Sequence, residues 1–203
     1  MKASVLVGSI LAMFALTGCG EGESTEQGKD KPKPNPTTGI GLVGNSYQSD
    51  CIADQNNTSQ IEEIIFGETT FERNLLTYSG AKCEAALKSF QLIRKFSNST
   101  SAESRDVLKW TELTYKVESI QASVHQQQTA DLFKSNLVYG YSDWAMGAPK
   151  EVSGKKLTKD SDAEPALGSY LSSTYKIEGN KLFLAQYRGG KPTSEWPIIF
   201  AKK

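Results

Sequence analysis

Between Ser173 and Tyr187, two runs of alternating apolar and polar residues flank Gly179-Asn180, a pattern that folds as an antiparallel β-hairpin. Gly-Asn suits a two-residue connection because glycine enters the left-handed region without steric cost. Setting Glu178 opposite Lys181 aligns Ile177 with Leu182 and Tyr175 with Leu184, and leaves Lys176 across from Phe183 on the other face. That register gathers one apolar set, and the opposite charges of Glu178 and Lys181 favour it beside the turn.

The same texture runs through the chain from Ile40 onward. Short segments rich in Tyr, Phe, Val, Ile and Thr alternate with clusters of Gly, Asn, Ser, Asp and Pro, which predicts an all-β domain. Further strands are expected at 45–52, 60–66, 70–78, 86–96, 108–124, 137–145 and 195–201. With the hairpin they make eight or nine, which fits a single up-and-down antiparallel β-barrel of about eight strands. Two segments resist simple alternation. Phe90, Leu92 and Phe96 share a parity with Lys88 and Arg94, and Val117, Ile120 and Val124 also match helical spacing; aromatic and β-branched content favours strand at 108–124. Residues 101–107 and 126–133 carry few β-formers and read as short helices or loops.

The chain's 23 basic and 23 acidic side chains cancel, and its pI is near 6.6. Interspersed charge of this kind lacks the basic footprint of a nucleic-acid binder, so no nucleic-acid partner is expected.

At the N-terminus, Lys2 precedes a twelve-residue small or apolar run from Val5 to Leu16. This suits a secretory leader and falls short of the roughly 20 residues that span a bilayer. The run ends in Leu16-Thr17-Gly18-Cys19, which resembles the lipobox of bacterial lipoproteins at all four positions. The resemblance implies removal of residues 1–18, lipid on the Cys19 sulfur and a further acyl chain on the freed amine. Two or more chains anchor a protein stably to a membrane. Gly20 stands where an Asp often marks inner-membrane retention in that family, so the bacterial outer membrane is the expected location. Loss of Lys2 with the leader leaves 22 basic against 23 acidic groups, a charge of −1. Residues 19–39 are almost free of apolar side chains, and Lys31-Pro32-Lys33-Pro34-Asn35-Pro36 favours extended polyproline II geometry, so the stretch reads as a disordered tether. Residues 40–203 then form one domain, with no second expected.

If Cys19 carries lipid, Cys51 and Cys83 remain as a pair in an oxidising compartment, where a disulfide is expected. Neither has the nearby Cys or His that redox or metal chemistry would need.

Motifs for catalysis are sparse. His125 is the chain's one histidine and reads as an exposed strand-end residue. G-x-S-x-G, Walker, G-x-G-x-x-G, H-E-x-x-H and EF-hand patterns are missing from the sequence, so no catalytic, metal or cofactor site is expected. Asp160-Ser161-Asp162-Ala163-Glu164 lacks the glycine of a calcium loop and reads as solvated. Asn56-Asn57-Thr58-Ser59 and Asn98-Ser99-Thr100 read as polar loops. The aromatic stretch from Leu137 to Trp144 is core by default and a ligand-cavity lining by exception.

Gly44 followed by Tyr47 at the first strand, with a hairpin near the end, is similar to lipocalin or calycin-type barrels, with Gly44-Asn45-Ser46 and Tyr47 in place of their G-x-W. Arg188 compares with the arginine that family places late in the barrel. The resemblance implies a barrel enclosing one small apolar molecule, and no binding residue is carried over from it. The first expectation is therefore a non-catalytic envelope lipoprotein that binds a small apolar ligand. The second is a protein-interaction module, an inhibitor or assembly accessory for an envelope protein, built on a filled barrel. An enzyme comes third, and two buried carboxylates facing one cleft would revive it.

Overall fold

Successive long strands pair antiparallel with one another, and the last pairs with the first. A computed structural model describes residues 42–98, 104–105, 110–188 and 191–203; the leader, Cys19, the tether and the side chains of Trp110, Arg188 and Trp196 lie outside the described set. The strands are β1 (Ser46–Ser49), β2 (Ile52–Ala53), β3 (Thr58–Phe66), β4 (Thr70–Ser79), β5 (Lys88–Asn98), β6 (Ser104–Arg105), β7 (Trp110–Val124), β8 (Lys150–Glu151), β9 (Tyr170–Glu178), β10 (Lys181–Arg188) and β11 (Lys191–Lys202), with one α-helix, α1 (Gln127–Ser135). Eight of them close a ring in the order β1, β3, β4, β5, β7, β9, β10, β11 and back to β1, an up-and-down antiparallel barrel. Closure leaves the ring without a free sheet edge. The two-residue strands β2, β6 and β8 pair with β3 or β7 outside it.

The hairpin has the register its pattern dictates: Glu178 opposite Lys181, Ile177 opposite Leu182, Lys176 opposite Phe183 and Tyr175 opposite Leu184. Gly179 takes φ +58° at the turn, which a Cβ would disfavour. One detail differs. The ion partner of Glu178 is Lys176, two residues back on the same face, in place of Lys181 across the turn.

Cross-strand partners define the barrel interior. Phe66, Phe71 and Phe96 face inward together, as do Ile64, Arg73, Arg94 and Ile120, and then Leu75, Leu92 and Ala122. Two bulges explain the irregular parities. Thr77 pairs with Phe90 but Tyr78 pairs with Lys88, so Ser89 is an extra residue that moves Lys88 to the outer face. Phe96 pairs with Val117 and Lys95 with Ser119, making Glu118 the extra residue. Leu113, Tyr115 and Val117 before that bulge, and Ile120, Ala122 and Val124 after it, therefore all face inward along one strand. The helical spacing from Val117 to Ile120 is the trace of the bulge.

The barrel's upper end carries the β3–β4 and β9–β10 turns. Its lower end carries the β4–β5 turn and the insertion 125–169 between β7 and β9. Cys51 and Cys83 form a disulfide at the lower end, joining segments 32 residues apart with Cα atoms 6.0 Å apart.

Residues 126–133 fall mostly within α1, whose Ala130 and Phe133 are buried. Residues 137–145 depart from expectation. They form a 3-10 turn at Val138–Gly140 in place of a strand, with Leu137 at φ 50° and Tyr139 at φ 52°. Left-handed backbone at two non-glycine residues ends any extended run, and Val138, Tyr139 and Trp144 are buried in the core. The Trp144 indole N–H donates to the Val138 carbonyl at 3.0 Å.

Candidate functional site

The lumen is layered, and its layers differ in how fully they are filled. At the upper end Phe71 lies 5.5 Å from Phe66, 4.8 Å from Phe96 and 5.0 Å from Tyr115, ring centre to ring centre. Rings at these separations attract one another beyond simple burial. Phe71, Phe96 and Tyr115 are at most 4% exposed, so this layer is dry packing.

The middle layer is charged. Arg73 on β4 and Arg94 on β5 are direct cross-strand partners, both facing inward. Two like charges side by side in a barrel need compensation. Glu62 supplies it for Arg73, whose Nε donates to Oε1 at 2.7 Å. Glu164, from the insertion, supplies it for Arg94, accepting from Nε and Nη2 at 3.0 Å each in a bidentate pair. The Tyr139 hydroxyl donates to Glu164 at 3.2 Å. Burial, reinforced by the Glu164 charge, pushes the Tyr139 phenol far above its ordinary range, so it remains a donor. Burial likewise raises Tyr115, although the two arginines pull against it.

Glu164 thus lies in the lumen, where the acidic run 160–164 was expected to be solvated. Ser161 is buried too, bonded to Thr158, while Asp160 and Asp162 are exposed. Composition gave no sign of this, because the partner of Glu164 is seventy residues away. The weak signal was Arg94 itself, a charge between Leu92 and Phe96 on their parity.

Phe133 of α1 closes the lower end against Phe90 at 5.3 Å and meets Trp144 at 5.2 Å. Between this plug and the arginines the lining is looser. Leu75 faces inward at mid-strand yet is half-buried, as are Gln60 and, opposite Tyr115 of the upper layer, Leu171, whereas Leu92, Ile120 and Leu182 are 0–2% exposed. The Arg73 and Arg94 side chains retain 14% and 15% exposure. The lining at Leu75, Gln60 and the two arginines is therefore packed less tightly than the aromatic layer. Thr77 lies on the inward parity, 7% exposed, and its Oγ1 is sealed from solvent without a hydrogen-bond partner.

His125 sits at the end of β7 as expected, though half-buried, with Nε2 3.2 Å from the Ser123 hydroxyl. Burial, assisted by Lys88, lowers its pKa. Among the described residues no three His, Cys, Asp or Glu side chains gather as a metal site, and no helix is long and apolar enough to cross a membrane. The lumen does hold two carboxylates, Glu62 and Glu164. Both are tied to arginines, an arrangement that neutralises charge without leaving an acid and a base across a common substrate. The aromatic stretch from Leu137 to Trp144 divides: Val138, Tyr139 and Trp144 are core, and Tyr141 is half-buried with Lys150 and Lys155 over its ring at 5.2 and 4.8 Å.

No protein-family model matches the chain, and no curated protein matches it significantly.

Proposed function

We propose that this chain is a non-catalytic lipoprotein of the bacterial outer membrane, held by lipid on Cys19, whose barrel carries one small ligand with a substantial apolar part. The leader and Leu16-Thr17-Gly18-Cys19 support the anchor. A single observation carries the ligand reading: Leu75 and Leu171 face into a closed eight-stranded barrel yet stay half-buried, beside neighbours packed to near-zero exposure. A barrel of eight strands is wide enough for its own side chains or for one small molecule, and partial exposure inside it favours the second use.

Native mass spectrometry of the purified full chain tests this. A defined small molecule released on unfolding supports carriage. An empty protein that also binds no small apolar probe overturns it and leaves an interaction module of the envelope. That second reading has its own support, since Leu167 and Tyr170 are each 65% exposed at the start of β9, a prominent apolar feature for a protein partner to cover.

A further inference from the structure

We infer that α1 is the gate of the barrel's lower end, a rigid unit that swings on Gln126 and Leu137 and carries Phe133 away from Phe90. This rests on the reading of the barrel as a carrier. The dry aromatic layer and the paired arginines block the upper route, so a ligand reaches the looser lining around Leu75 past the Phe133 plug.

The attachment of α1 sets it apart from the rest of the insertion. Its polar side chains bond within their own segment: Gln127 donates to Asp131 at 2.8 Å, Lys134 pairs with Asp131, and Ser135 and Asn136 donate to the Leu132 carbonyl. Among the described residues, no hydrogen bond or ion pair joins 127–136 to a strand. The hold on the barrel is apolar, through buried Ala130 and Phe133, the latter against Phe90 and Trp144. The later part of the insertion is fixed by polar contacts instead. Arg94 clamps Glu164, Glu151 accepts from the Ile120 amide at 3.2 Å, and the Val152 amide donates to the Ile120 carbonyl at 2.8 Å. A unit held by apolar contact alone detaches while its bonded neighbour stays.

Both ends of α1 suit hinges. Gln126 is anchored, accepting from the Ser79 hydroxyl and donating to the Leu87 carbonyl, yet its side chain gives the helix no cap. At the other end Leu137 takes φ +50°, in the place just past a helix end where glycine commonly stands. A Cβ is strained there, and a side chain 57% exposed gains little packing in return. Buried Val138 and Tyr139 fix the far side of Leu137, so movement of α1 is what releases the strain.

Hydrogen exchange on the full chain, followed through low urea, tests release of the helix. Amides of 130–136 are expected to exchange through an opening that urea barely accelerates, while those of β5 and β7 wait for the urea-sensitive global opening. Leu137→Gly, which removes the strain of the closed state, should slow exchange of the helix amides by roughly threefold. Benzene exchange by NMR, with the full chain in lipid nanodiscs and empty nanodiscs as baseline, tests passage. Leu137→Gly should slow benzene uptake and release equally and leave its affinity unchanged, which a merely structural role would not do. Exchange of α1 in step with β5 and β7, helix exchange unchanged in Leu137→Gly, or benzene rates unchanged in that variant each overturns the gate. Failure of benzene to bind overturns carriage alone, because hydrogen exchange reads α1 without a ligand.

Discussion

The Arg94 guanidinium holds both carboxylate oxygens of Glu164 at 3.0 Å, clamping the insertion between β7 and β9 onto the inner wall of the barrel. The side chains are 15% and 13% exposed, so the pair is shielded from solvent, and removing one partner strands the other. Arg94→Ala is expected to lower unfolding stability by about 3 kcal/mol or more, the usual cost of an orphaned buried charge. Replacing the pair together, Arg94→Met with Glu164→Leu, should cost less than the single change. Urea unfolding of the three proteins decides this, and a double variant less stable than Arg94→Ala would refute the clamp.

The disulfide fastens the lower end. Replacing Cys51 and Cys83 with serine should cost about 3–4 kcal/mol in the chain-entropy account for a loop of this length. Guanidinium unfolding with and without reductant measures it, and coincident curves would contradict a structural role.

Alkaline pH should unfold the protein through its buried phenols. Tyr139 has a folded-state pKa raised above the unfolded value of 10.0, chiefly by burial. Its contribution is fully present below pH 10 and is lost above it, because the unfolded chain releases the proton more readily. Tyr139→Phe should move the alkaline unfolding midpoint upward. A midpoint unchanged or lowered would assign alkaline sensitivity elsewhere.

The anchor assignment has a direct check. Cys19→Ala should abolish incorporation of labelled palmitate and leave the chain unprocessed or free of the membrane, whereas continued labelling would contradict it.

Sequence made the fold legible where local chemistry and long-range packing agree. Gly179-Asn180 between two alternating runs specified the hairpin to the residue, since turn and pattern demand the same register. Glu118 and Ser89 were opaque, because a bulge leaves only a parity change that mimics noise or helix. Residues 137–145 misled for another reason. Aromatic and β-branched content reports burial as much as strand, and the left-handed backbone at Leu137 and Tyr139 is imposed by packing of the insertion. The candidate site was hidden almost entirely, because Glu164 meets Arg94 only when the insertion folds back onto the barrel.

Space beside Leu75 is the claim on which the carrier reading depends, and xenon probes it without presuming a ligand. In methyl-resolved NMR of the full chain under xenon pressure, the Leu75 and Leu171 methyls should shift in a saturable way while those of Leu92 and Leu182 stay still. Unmoved Leu75 and Leu171 methyls would mean a filled barrel and contradict the account.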